Sequence, residues 1–137
     1  MKSPQLETVQ VDWIGDQRFL LKDHAGFPII MTQPDGVSGA DLLPLSLIGC
    51  AAWDVIAILK KQRQQVTRFQ VTADSERDPD PPWRFRRIRI CYQITGKKIN
   101  PERVRRAIDL TETKYCSIFA TLREVVEIVS EFDIVEA

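Results

Sequence analysis

One apolar stretch, Leu42 to Leu59, constrains this chain more than any other feature. It is interrupted by Pro44, Ser46, Asp54 and small Gly and Ala residues, so a buried helix is expected rather than a membrane span. The helix is expected from Ser38 to about Gln62. Ser38 offers an N-cap, and Asp41 three residues on completes a capping-box-like pair. Lys60, Lys61 and Arg63 suit the negative C-terminal end. Pro44 falls in the second turn and removes a backbone bond to Ala40, which predicts a kink or a frayed first turn. The middle of this helix is apolar on nearly all faces, more than one small sheet can cover. Burial between sheets from two chains is therefore expected.

The flanking pattern supplies the sheet. Leu6 to Ile14, Arg18 to Lys22 and Phe27 to Thr32 suggest three short strands in a meander, separated by Gly15-Asp16 and Asp23-His24-Ala25-Gly26. Pro34-Asp35-Gly36 then breaks the chain. Phe69, Val71 and Ala73 alternate with polar residues as a half-buried strand. After the rigid Asp78-to-Pro82 loop comes a longer strand, with Ile88, Ile90, Tyr92 and Ile94 on one face and Arg87, Arg89, Cys91 and Gln93 on the other. Asn100 caps a helix that begins with Pro101 and has Val104, Ala107, Ile108 and Thr111 as its buried stripe. A short helix over Tyr115 to Leu122 and a strand through Ile128, Phe132 and Ile134 close the chain. The order β-β-β-α-β-β-α-α-β is an α+β pattern with a mostly antiparallel sheet, in a single domain spanning 1–137.

The chain carries 19 basic and 19 acidic residues and no net charge. That balance gives no reason to expect nucleic acid or an anionic membrane as partner. The arginines at 84, 86, 87 and 89, and at 103, 105 and 106, fit a solvated face paired with Asp and Glu, although Trp83 and Phe85 flank the first cluster. Three cysteines, an odd number, argue against a secreted disulfide framework. With no apolar segment in Met1 to Gln10, a reducing cytoplasm is expected.

Cys50 lies between Gly49 and Ala51-Ala52, small neighbours that allow close approach, with Asp54 one turn on; a packed apolar cysteine fits the same pattern. Cys116 opens a short helix beside Lys114, where a helix N-terminus and a nearby cation favour a thiolate; it too fits a packed residue. Their long separation matches neither zinc-ligand nor CxxC spacing, and His24, in a turn, is the only histidine, so no metal is expected. Cys91 faces the arginine side of its strand and is read as structural or exposed.

The run from Ser38-Gly39-Ala40-Asp41 through Leu47-Ile48-Gly49-Cys50-Ala51-Ala52-Trp53-Asp54-Val55 resembles the central helix of the OsmC/Ohr family. Ala107-Ile108 and Lys114-Tyr115-Cys116-Ser117-Ile118 resemble its second cysteine motif. The strand pair with Gly96 and the closing strand fit the family order. The resemblance, from about Val11 onward, implies an OsmC-like fold and an intertwined homodimer with active sites at the subunit interface. It also implies thiol-dependent reduction of small organic hydroperoxides without a bound cofactor. Cys50 would attack the peroxide, Cys116 would resolve the sulfenic acid as a disulfide, and an external dithiol would reduce that disulfide. The hydroperoxide-reducing branch has a proline and then a glutamate where this chain has Gly39 and Ala40. Asp41, one position further on, either replaces the glutamate or caps the helix. Arg18 is the nearest candidate for the branch's thiolate-holding arginine, and equally a residue facing solvent. On the same scaffold, a dimer that binds a small apolar ligand beside Cys50, Trp53 and Phe119, or one that only senses oxidant, is the alternative.

Overall fold

The computed structural model describes residues 3–33 and 35–137. Met1, Lys2 and Pro34, the proline of the expected chain break, lie outside the described residues. The chain forms two compact units that meet in sequence between Leu43 and Pro44.

The first unit contains the expected meander. Strands β1 (Gln10–Trp13), β2 (Phe19–Lys22) and β3 (Pro28–Met31) pair antiparallel in the order β1-β2-β3. Gly15 and Asp16 turn between β1 and β2 with positive φ. The Asp23 carboxylate accepts the backbone N–H groups of Ala25 and Phe27 in the next turn, at 2.9 and 2.8 Å, an Asx-type turn.

Helix α1 runs from Leu42 to Lys61, later at its start than the sequence suggested. Before it, Ser38, Gly39 and Ala40 accept i→i+3 bonds from Asp41, Leu42 and Leu43 at 3.1, 3.2 and 3.3 Å. The Ser38 hydroxyl accepts from Gln33 at 3.1 Å. The expected Ser38–Asp41 capping box is therefore not formed. Pro44 explains the late start. Lacking an N–H, it belongs in a first turn, whose N–H groups have no intrahelical partner. The frayed entry is as expected, but Pro44 sits in the first turn rather than the second.

The second unit is a three-stranded sheet with helices on its apolar face. Strands β4 (Gln65–Arg77), β5 (Phe85–Lys97) and β6 (Glu127–Glu136) lie in the order β4-β5-β6, with β4 antiparallel and β6 parallel to β5. A parallel pair needs a crossover connection. Here it consists of α2 (Pro101–Leu110), a π turn (Thr111–Tyr115) and α3 (Ser117–Leu122). Asn100 caps α2, its side chain accepting from the N–H groups of Glu102 and Arg103. Ile88, Ile90, Tyr92 and Ile94 from β5 are fully buried. They share one core with Leu47, Ala51, Val55 and Leu59 of α1 and with Val104, Ala107 and Ile108 of α2. A Cβ at Gly96 would run into the Gln65 carbonyl, so β4 and β5 approach each other there only with glycine.

The opposite face of this sheet carries Arg87, whose Nε is buried with no hydrogen-bond partner, and Arg89. Arg86 Nε donates to Asp78 Oδ1 at 2.8 Å and Arg89 Nη2 to Glu131 Oε1 at 2.7 Å. The Arg105 guanidinium lies 5.0 Å from the centre of the Phe132 ring.

Within one chain, α1 is covered on one stripe. A mean hydropathy of 2.1 over an 18-residue window of α1 would suit a membrane span, but the stripe Leu47, Ala51, Val55 and Leu59 is packed into the protein core. The opposite stripe, Leu45, Gly49, Trp53 and Ala57, is exposed.

Candidate active site

Cys50 and Cys116 come together within the second unit. Cys50 projects from the middle of α1. Cys116 lies close enough for Cys50 to act on its thiol. The π turn helps to place Cys116: its N–H donates to the Thr111 carbonyl at 2.8 Å, an i→i+5 bond of a kind found often at functional sites. Cys116 then caps α3, its sulfur accepting the Phe119 N–H at 3.3 Å.

The two sulfurs differ in exposure and in charge. Cys116 is 3% exposed, whereas Cys50 is partly exposed. Burial first, and then the neighbouring Cys50, push the Cys116 thiol up to about 11. The α3 N–H groups pull the other way and are outweighed. The expectation that the helix start and Lys114 would favour a Cys116 thiolate is thus corrected. Lys114 instead lies over the Tyr115 ring, 5.5 Å from its centre.

Two concavities open along α1. One, of about 270 Å³, is lined by Leu45, Ile48, Gly49, Ala52, Phe69 and Val71. The other, of about 380 Å³, is lined by Asp54, Ala57, Ile58, Lys61, Leu110 and Tyr115. Neither is lined by Trp53 or Phe119, the residues the sequence suggested. Cys91 lies apart from the pair, its sulfur 3.9 Å from Asp133. Burial and then the charges of Asp133 and Glu131 hold its thiol above the usual range, in keeping with an unreactive residue.

Arg18 and Asp41 belong to the first unit. Arg18 is exposed and closes the β1–β2 turn, its N–H donating to Gly15 at 3.0 Å. Asp41 is exposed in the turn that leads into α1. His24 is exposed in its turn, 3.9 Å from Glu7.

Three residues not anticipated from the sequence lie behind Cys116. Glu112, in the π turn, accepts hydrogen bonds at one oxygen, Oε2, from the Tyr92 hydroxyl at 3.0 Å and from the Ser130 hydroxyl at 2.5 Å. Burial raises the Glu112 carboxyl above its ordinary value, against the pull of Ser130 and Tyr92. Tyr92 is fully buried, and its hydroxyl is pushed far up by burial, by Glu112 and by negative charge at Cys116. Two signals for this cluster were present in the sequence. Glu112 continues the Val104–Ile108 stripe by one more turn, and Tyr92 is the one polar tip among three buried isoleucines, a group that needs a partner when buried.

The two cysteines thus lie near each other, and the family model described as OsmC-like protein matches residues 32–131. The chain belongs to the OsmC-like family. Among OsmC-like relatives, protein YhfA of Escherichia coli is 34% identical over 131 residues, 93% of this chain and 98% of the relative. The crystal structure of a hypothetical protein from Aquifex aeolicus is similar with a TM-score of 0.87 at 25% identity, covering 98% of this chain and 99% of its own. The organic hydroperoxide resistance protein OhrB of Bacillus subtilis shares the fold, with a TM-score of 0.59 at 14% identity over 92% of this chain and 98% of its own.

Proposed function

We propose that this protein is a thiol-dependent peroxidase for small organic hydroperoxides, working as a cytoplasmic homodimer. The observation that supports the reading is that Cys50 and Cys116, far apart in sequence, come close enough for Cys50 to act on the Cys116 thiol. The buried Cys116 thiol holds its proton up to about 11, which leaves Cys50 as the sulfur a peroxide reaches. The Cys50 thiolate attacks the distal peroxide oxygen, the O–O bond breaks, and an alcohol leaves with a proton from solvent. The sulfenic acid condenses with Cys116, forming the S–S bond and releasing water. An external dithiol then reduces the disulfide.

A second reading, a redox-sensing dimer with little turnover, draws support from the same raised Cys116 thiol, which slows disulfide formation. Steady consumption of cumene hydroperoxide with dithiothreitol as reductant separates the two. The peroxidase consumes many equivalents per subunit, and the reading fails if consumption stops at one.

A further inference from the structure

The chain from Thr111 to Cys116 sets the second cysteine in place. Thr111 is fully buried, and its carbonyl accepts the Cys116 N–H at 2.8 Å across the π turn. π geometry is rare in proteins. A rare backbone form persists where surrounding contacts over-determine it. After Cys116, α3 contributes only partly buried apolar residues, Ile118, Phe119 and Leu122. The firmer hold on Cys116 therefore comes from the turn side.

Glu112, the second residue of the turn, supplies a contact of this kind. Its Oε2 accepts the Tyr92 hydroxyl at 3.0 Å and the Ser130 hydroxyl at 2.5 Å. Tyr92 stands on β5 and Ser130 on β6, neighbouring strands in parallel register, with Ser130 opposite Ile90. One carboxylate oxygen thus ties the turn to two strands of the sheet. Tyr92 is fully buried, and a buried phenol hydroxyl keeps the partner it has.

We infer that Glu112 is a positioning residue: by accepting the Tyr92 and Ser130 hydroxyls it clamps the π turn to β5 and β6, and so holds the Cys116 sulfur where it closes on Cys50. The inference deepens the two-cysteine reading above and rests on its pairing of these two residues. Closing the S–S bond between groups held in place is an intramolecular step, and its rate falls steeply with small misplacement. Glu112 acts here through accepted hydrogen bonds, so the role needs an oxygen at this position and no negative charge.

Ellman's reagent reads the closing step without any peroxide. The Cys50 thiolate attacks the disulfide of the reagent, forms a mixed disulfide and releases one thionitrobenzoate. Cys116 then gives its proton to solvent, attacks the Cys50 sulfur and releases the second. In the full-length protein with Cys91→Ser, the first release serves as the reference for the second. Glu112→Ala is expected to slow the second release relative to the first by about 10-fold to 100-fold. Glu112→Gln keeps a carbonyl oxygen that accepts both hydroxyls and is expected to stay near wild type. Ile88→Ala, a core truncation outside the cluster, is expected to lower the melting temperature and leave the ratio of the two releases as it is. Tyr92→Phe and Ser130→Ala each remove one anchor and are expected to slow the second release by a smaller factor.

A wild-type ratio in Glu112→Ala overturns the inference. So does a Glu112→Gln as slow as Glu112→Ala, or an Ile88→Ala slowed as much. Wild-type ratios in both Tyr92→Phe and Ser130→Ala overturn it even where Glu112→Ala does not fold. If cumene hydroperoxide leaves no sulfenic acid at Cys50 while the Ellman pattern holds, the peroxidase reading fails and the positioning role stands.

Discussion

Cys50→Ser is expected to reduce a bulky organic hydroperoxide no faster than buffer, whereas Cys116→Ser is expected to release one equivalent of alcohol and then stall. Attack on the peroxide needs a single nucleophilic sulfur, and a serine hydroxyl, unlike a thiolate, is not ionised near neutral pH. Resolution needs the second sulfur only after attack. Without it, Cys50 remains a sulfenic acid, visible in the intact mass as one added oxygen. A single-turnover assay that follows alcohol release and protein mass for each variant checks both halves. Equal rates in wild type and Cys50→Ser would remove Cys50 from the chemistry. Continued turnover in Cys116→Ser would show that the thiol beside Cys50 is not needed for recycling.

The second large effect concerns assembly. Wild type is expected to be a dimer at micromolar concentration, and Trp53→Glu is expected to weaken dimerisation by at least about 100-fold, a loss of roughly 3 kcal/mol. Trp53 is 79% exposed and Leu45 50% exposed on the stripe of α1 opposite the packed core. Burying a tryptophan removes on the order of 200 Å² from water, worth about 5 kcal/mol at about 25 cal/mol per Å². A glutamate at that position would have to be desolvated instead. Sedimentation velocity distinguishes the outcomes. A monomeric wild type at these concentrations would contradict the dimer, and an undisturbed Trp53→Glu dimer would place the interface elsewhere.

Period-two and period-3.6 patterns made much of the fold legible. Ile88, Ile90, Tyr92 and Ile94 alternate in sequence and all four are buried on one face of β5. Asn100-Pro101 and the Val104–Thr111 stripe marked α2 in the same way. The start of α1 was misjudged because Ser38 and Asp41 have the residue types of a capping box, while the stronger constraint, the missing N–H of Pro44, sets the first turn. The π turn left no local signal, since one extra residue in a helical turn changes neither composition nor apolar spacing enough to register. That insertion also decides where Glu112 and Cys116 come to rest. The two cysteines were legible as motif positions. Their contrast was not, because the outcome between burial and the helix N-terminus depends on how deep Cys116 lies. A buried carboxylate such as Glu112 costs stability when ionised unless it is hydrogen-bonded, as it is here to Tyr92 and Ser130.

The most direct test of the two-cysteine account is to treat the reduced protein with one equivalent of cumene hydroperoxide and map its peptides by mass spectrometry. The account predicts a Cys50–Cys116 disulfide within one chain, formed in step with one equivalent of alcohol, and Cys91 still reduced. Alcohol released with Cys50 and Cys116 unlinked, or a disulfide that engages Cys91, would contradict it.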